Sequence, residues 1–316
     1  MKQLPVGKRV RVRVPATSAN LGPGFDTLGI ALAIHDELEF ETLEAGKLEF
    51  DITGVGADSV PQTEEHLVIR ALKYSLEQLG YAMPGIRMHA DNIIPHGRGM
   101  GSSGAAIVAG VVAAAGLVAP ERTVTSDELL ALATDLEGHP DNVAPCLFGG
   151  LTIAWMDAEN QPRSKQLMVD RGVSVLVLVP EERMSTEVAR SLQPEQVPHA
   201  DAIFNLSRSA LLIAALTQSP DVLFDATEDR LHQTYRASAM PQTAELVRVL
   251  RDAGFAAVVS GAGPSVLVLC QDPGARLRAA ELAKTQNATW QALMTAVDVQ
   301  GATVETVAET VESPRA

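Results

Sequence analysis

The feature that most constrains this chain is a glycine-rich turn, Gly99-Met100-Gly101-Ser102-Ser103-Gly104, placed directly before a run of Ala, Gly and Val over 105–119. Glycine reaches left-handed backbone conformations at no steric cost, so the turn can bend sharply and bring its main chain against a ligand. The run that follows is short for a bilayer and apolar on every side, so it reads as a buried helix. With a strand expected over 86–94, the order is strand, glycine-rich turn, buried helix. The first amides of such a helix are free and stand at the positive end of its dipole, which makes the turn a cradle for phosphate.

Two other phosphate motifs fit less well. The spacing matches GxGxxG, but the acidic residue that a dinucleotide site places about 20 positions later, at the end of a second strand, is not evident. No GxxxxGKS or GxxxxGKT occurs, which excludes a Walker-type loop. Ser102 and Ser103 offer paired hydroxyls of the kind a metal-bound triphosphate uses. A glycine-rich helix start needed only for close packing stays open as the alternative.

Charge decides how an anionic ligand must be held. Asp plus Glu number 39 against 25 for Lys plus Arg, a net charge of −14, so the long-range field repels a polyphosphate chain. Aromatic residues make up 4%, too few for a base-stacking platform. Nucleic acid is therefore not an expected partner, and any phosphate has to be gripped locally. Two cysteines, Cys146 and Cys270, cannot build a disulfide framework, and no Cys/His cluster has zinc spacing. The chain starts with alternating Val and Arg over 10–14 rather than an apolar export signal. A cytoplasmic protein without a membrane segment is expected.

At 316 residues, with 46% hydrophobic and 20% charged, the chain has the length and composition of two packed domains of roughly 150 residues each. The expected division is 1–160 and 161–308, linked through the polar stretch 157–172, with 309–316 as a disordered tail. Strands are expected at 10–14, 36–43, 47–53, 86–94, 150–156, 174–179, 256–259, 265–270 and 302–307. Helices are expected at 66–79, from the glycine-rich turn to 118, at 125–137 behind a Thr125–Glu128 capping box, and at 185–192, 200–218, 228–236, 242–253 and 275–286. Residues 138–142 read as a loop. The continuous run Ser174-Val-Leu-Val-Leu-Val179 suits a strand buried on both faces. Strands and helices alternate, an α+β design.

Two further glycine-rich segments punctuate the chain. Pro15-Ala-Thr-Ser-Ala-Asn20-Leu-Gly22-Pro-Gly24-Phe-Asp26-Thr-Leu-Gly29 follows the first strand, and Ser260-Gly261-Ala-Gly263-Pro-Ser265 separates two apolar runs. Each alone reads equally well as a plain turn. Together and in this order, the three segments resemble the three motifs of the GHMP small-molecule kinases. Residues 15–32 are similar to homoserine kinases in particular, as are Glu137-Gly-His-Pro-Asp-Asn-Val-Ala-Pro-Cys146 and Leu231-His-Gln-Thr-Tyr-Arg236. The resemblance covers nearly the whole chain.

That resemblance implies a two-domain GHMP kinase fold. Its N-terminal domain, 1–160, would bind ATP and be like the second domain of ribosomal protein S5; its C-terminal domain, 161–308, would be ferredoxin-like, with the site between them. The implied reaction is ATP- and Mg²⁺-dependent transfer of the γ-phosphoryl group to the side-chain hydroxyl of L-homoserine, giving O-phospho-L-homoserine on the way to threonine. Related kinases are often homodimers. In the implied site, the backbone of Pro95, His96, Gly97, Arg98, Gly99, Met100, Gly101, Ser102, Ser103, Gly104 and Ala105 wraps the ATP phosphates. Gly261 and Gly263 support that loop from the other domain, and Ser103 and Glu137 bind Mg²⁺, for which hard oxygen ligands are suited. Arg190 and Arg236 clamp the substrate carboxylate, matching it with guanidinium forks, while Asp26 takes the ammonium group. Asn20 and Asn142 stand near the hydroxyl and orient it.

Other readings accompany these. The chain could phosphorylate another small alcohol, of the mevalonate or sugar class, or be a non-catalytic ATP-binding module of the same fold. Arg190 could pair with Glu187 on an exposed helix face. Glu137 could simply end its helix, and Asn142 could cap a turn with Asp141. His96, His139 and His232 are set outside the catalytic group as loop histidines. Phosphoryl transfer needs positioning more than early proton removal, so no dedicated base is expected; Asp141 and Asp26 are the rivals for one.

Overall fold

The computed structural model describes residues 1–307, without the side chains of 186 and 187; the expected tail at 309–316 lies outside the described residues. In chain order the first half holds β1 (Arg9–Ala19), β2 (Leu28–Leu43), β3 (Leu48–Gly54), α1 (Leu67–Gln78), β4 (Gly85–Asn92), α2 (Ser102–Val118), α3 (Ser126–Glu137), α4 (Pro140–Phe148), β5 (Leu151–Met156) and β6 (Pro162–Leu167). The second half holds β7 (Ser174–Val179), α5 (Thr186–Ser191), α6 (His199–Thr217), α7 (Leu223–Ala226), α8 (Gln233–Arg236), α9 (Pro241–Asp252), β8 (Ala256–Val259), β9 (Val266–Cys270), α10 (Pro273–Gln286), β10 (Gln291–Thr295) and β11 (Thr303–Val307).

One sheet runs β11-β1-β2-β4-β3, with β5 pairing both β2 and β6. Its pairs are antiparallel except β3 with β4, which run parallel because α1 crosses over between them. The Val-Arg alternation of β1 explains its orientation. Val10, Val12 and Val14 are buried, while Arg9, Arg11 and Arg13 lie opposite Glu41, Glu39 and Glu37 of β2 and pair with them. Under this sheet passes α2, buried along nearly its whole length. Its glycines allow that: a Cβ at Gly110 would stand 2.7 Å from Ala71 Cβ of α1.

The second sheet, β10-β7-β9-β8, is antiparallel throughout. Val175, Val177 and Val179 pack into the main core with Leu212 and Leu216 of α6, whereas Leu176 and Leu178 pack with Leu246, Leu250, Ala279 and Ala283 of α9 and α10. Two opposing cores explain why the strand is apolar at every position from Val175 to Val179.

Four local expectations are corrected. The stretch 157–172 is not a bare linker, because 162–167 forms β6, an edge strand too polar to be seen from hydrophobicity. β11 closes the first sheet against β1, so sheet membership does not follow chain order. The loop at 138–142 gives way at Pro140 to α4; proline in a first helical turn costs no hydrogen bond. In 228–236 only 233–236 is α-helical, since the Asp229 carboxylate captures the N–H groups of Leu231, His232 and Gln233 at 2.9, 3.1 and 2.7 Å.

Candidate active site

The three glycine-rich segments meet where the two sheets face each other. Gly97, Gly99 and Gly101 all have left-handed φ values, 65°, 73° and 68°, and Gly101 is the residue from which α2 starts. A Cβ on Gly99 would overlap the carbonyl oxygen of Ser260, and one on Gly101 would overlap Thr17 Oγ1. The segments are also bonded to one another. Thr17 N–H donates to Met100 O at 3.1 Å, Ser260 Oγ to Gly99 O at 2.7 Å, Gly261 N–H to Ala19 O at 3.1 Å, and Asn20 Nδ2 to Gly261 O at 2.9 Å. The leading amides of α2 are thereby aimed into a cavity of about 180 Å³.

Side chains expected from the sequence line that cavity. Asn20, Asp26, Ser102, Ser103, Glu137, Asn142, Arg190 and Arg236 are all present, with Gly97, Gly99, Gly101, Gly104, Gly261 and Gly263. Asn20 and Asp26 hold left-handed backbone, φ 71° and 51°, and Asn20 Oδ1 accepts the Asp26 N–H at 3.0 Å, so the loop between β1 and β2 is fixed in a strained form. Arg190 of α5 does reach Asp26, at 3.2 Å across the cleft. Burial pushes the Asp26 carboxyl up, reinforced by Asp141 and opposed by Arg190, His139 and Arg236. Arg236 is 4% exposed, lies over the Phe25 ring at 4.9 Å, and Phe25 stacks on His232 at 3.7 Å. The binding end for a charged ligand is thus built from side chains that the second half supplies to the first.

On the opposite wall, Glu137 ends α3 and Asn142 lies in the first turn of α4. Ser103 Oγ donates to Glu137 Oε2 at 3.3 Å, and burial raises the Glu137 carboxyl, opposed chiefly by His139. Thr17 Oγ1 donates to Asn142 Oδ1 at 3.3 Å, and Asn142 lines the cleft. His139 lines the same cavity and hydrogen-bonds Asp141, which is 1% exposed; that bond raises the imidazole's affinity for a proton. From the sequence His139 is set aside as a loop histidine; the start of α4 is what places it in the cavity.

Five positions of the glycine-rich segment lie elsewhere. Met100 is buried in the core, and His96 and Ala105 face a neighbouring cavity. Pro95 and Arg98 face a groove behind the turn, and the Arg98 guanidinium donates to the carbonyls of Pro180, His96 and Glu181.

The neighbouring cavity, about 310 Å³, adjoins Ser102 and Ser103 and was not visible in the sequence. Val14, Leu38, Val60, Pro61 and Leu67 give it apolar walls, with His66, whose buried Nδ1 has no partner, and Asp36 at the polar edge. Its residues look like ordinary core in the chain. Asp36 accepts the N–H groups of Ile93 and Ile94 at 2.6 and 2.8 Å, fixing where the main chain leaves β4 for the glycine turn. Burial lifts its carboxyl to about 6 against those two bonds.

An amide-lined helix terminus facing a pocket of paired charges between two α+β units defines a small-molecule phosphotransferase site. Comparison with known proteins agrees. Residues 66–150 match the family of GHMP kinases N terminal domain, and 209–287 match GHMP kinases C terminal. The chain is 62% identical to homoserine kinase from Clavibacter michiganensis subsp. michiganensis over 97% of each chain, and 47% identical to homoserine kinase from Streptomyces coelicolor over 93% of this chain and 94% of the other. The crystal structure of homoserine kinase from Cytophaga hutchinsonii superposes with a TM-score of 0.81 at 26% identity, covering 94% of this chain and 97% of that one. The chain belongs to the GHMP kinase family and, within it, to the homoserine kinases.

Proposed function

We propose that this chain transfers the γ-phosphoryl group of ATP to the side-chain hydroxyl of L-homoserine, giving O-phospho-L-homoserine on the way to threonine, in the cytoplasm. The observation that carries this reading is the convergence of two guanidinium groups and one carboxylate on a cavity whose far wall is a helix N-terminus. Arg190 and Arg236 suit an α-carboxylate and Asp26 an α-ammonium group, a pairing that a neutral sugar would leave unused.

The nucleoside lies in the apolar cavity beside Ser102, and its phosphates lie along the glycine turn onto the α2 amides. Ser103 Oγ and Glu137 Oε2 are adjacent hard oxygens of the kind that would hold Mg²⁺. The ion would neutralise charge on the transferred group. Asn142 Nδ2 donates to the substrate hydroxyl and holds it in line. As the oxygen–phosphorus bond forms, the bond to the ADP oxygen breaks and the hydroxyl proton passes to a phosphoryl oxygen. His139 is spent on Asp141 and serves to shape the pocket.

The test is ADP release with Mg²⁺ across L-homoserine, D-homoserine, L-serine, mevalonate and galactose. L-homoserine should give the highest kcat/KM by at least about 100-fold. Preference for mevalonate or galactose sinks the substrate assignment, and nucleotide binding without any turnover leaves only a binding module.

A further inference from the structure

A cation with no partner among the described residues stands at the glycine turn. Arg183 lies in the segment between β7 and α5, which belongs to the second sheet's half of the molecule but is tied to the glycine turn of the first. Met184 N–H donates to Gly97 O at 2.9 Å, and Arg98 grips the carbonyls of Pro180 and Glu181 at 2.8 and 2.7 Å. The Arg183 stem lies flat on the turn: its Cβ, Cγ and Cδ come within 3.6 to 3.7 Å of where a Cβ of Gly97 would stand. Its charge also reaches the next residue: burial is what chiefly pushes the His96 imidazole towards its neutral form, and Arg183, ahead of Arg98, is the stronger of the two charges acting the same way. Among the described residues Arg183 is exposed and has no hydrogen-bond or ion-pair partner.

The other nearby cations are already engaged. Arg98 is bonded to carbonyls, Arg190 is paired with Asp26, and Arg236 is buried over Phe25 with a contact to Gly261 O. Meanwhile Glu137, Asp141 and Asp26 crowd the cleft with acid. A triphosphate keeps net negative charge even after one divalent cation binds, and main-chain amides offer dipoles but no charge. We propose that Arg183 is a phosphate-binding residue, contributed from the second half of the chain, that contacts the terminal phosphates of the bound nucleotide over Gly97. Gly97 and Met184, which flank the Arg183 stem, line the reacting cavity rather than the nucleoside cavity, so the arm lies beside the β,γ end of the chain and a turn of the guanidinium reaches it. The clamp from Arg98 and Met184 holds this arm on the loop, so binding the triphosphate also ties the two halves together.

This inference rests on the nucleotide reading above, and the experiment separates the two. Calorimetry on the full chain with Mg²⁺ measures a non-hydrolysable ATP analogue, ADP and AMP against wild type, Arg183→Gln and Arg183→Lys. Arg183→Gln should weaken the ATP analogue about tenfold or more, ADP less, and AMP less than about twofold, at an unchanged melting temperature. Arg183→Lys should recover most of the loss, because a point charge at that position suffices. Equal weakening of AMP and the ATP analogue overturns the proposal, as does no weakening at all. Wild type that binds none of the three nucleotides overturns the nucleotide reading itself, and the inference with it.

Discussion

The two walls of the cleft hold charge in opposite ways. The phosphate wall is main chain: the turn before α2 presents amides, and its glycines are locked because a Cβ at Gly99 or Gly101 has no room against Ser260 or Thr17. The opposite end is side chain: Arg190, Arg236 and Asp26 present full charges on elements brought in from both halves of the molecule. A backbone wall tolerates no added atom at those two positions but presents no titrating group of its own to a ligand. A side-chain wall tolerates added volume but fails when one charge is removed, since the remaining groups are left unbalanced in a half-buried site.

The largest effect should therefore come from one methyl group on the backbone wall. Gly99→Ala is expected to cut kcat/KM for ATP by more than about 100-fold and to lower the melting temperature by several degrees, because φ 73° and the Ser260 carbonyl both oppose it. Activity within threefold of wild type would mean the turn has slack and the wall is not rigid. On the side-chain wall, Arg236→Met should raise KM for homoserine roughly 100-fold with little change in KM for ATP, as expected for truncating one side of a buried charge pair. Arg190→Met, at a more exposed position, should cost about tenfold. The reverse ranking would move the main carboxylate contact to Arg190.

Asn142 lines the cleft without bringing a charge to it, and its variant reads out alignment. Asn142→Ala should lower kcat about tenfold or more with KM nearly constant, while Asp141→Asn should be milder because Asp141 acts on His139 rather than on the hydroxyl. If steady-state rates put Asp141→Asn lower, a base at Asp141 comes back into play.

The smallest effect tests whether the backbone wall is free of titration. Its one ionisable anchor is Asp36, whose carboxyl is raised from 3.8 to about 6. The folded state then binds more protons than the unfolded chain between those values, so this group's contribution to stability falls as pH rises through that window and is constant above it. His232, lowered to about 4, acts in the opposite sense from 6.5 downwards, so wild type alone does not isolate the Asp36 contribution. The informative quantity is Asp36→Asn minus wild type: its melting temperature should gain on wild type by a few degrees between pH 4.5 and 7. A difference that does not change with pH would show that Asp36 carries no such shift.

The legibility of these regions follows the same division. The turn at 99–104, the buried helix behind it and the Thr125–Glu128 cap were readable because each is set by residue types a few positions apart. Edge strand β6 was hidden, since an edge needs no apolar pattern, and Asp229 ended an expected helix by bonding three main-chain amides. In the site, Asn20, Asp26, Asn142, Arg190 and Arg236 do gather around one cavity, whereas the apolar cavity proposed for the nucleoside was invisible because its walls are core residues until α1 and β4 are placed side by side.

The two arginines near the phosphate loop show where local reading stops. By itself the sequence determined a glycine turn feeding a helix N-terminus, because backbone freedom and helix polarity are properties of the neighbouring residues alone. Only the tertiary structure decided that Arg98, inside the motif, turns away to bind carbonyls while Arg183, 85 positions further on, lies against the turn. Side-chain direction depends on how two separately folded sheets dock, and that contact is made between residues too far apart in the chain for any short pattern to record.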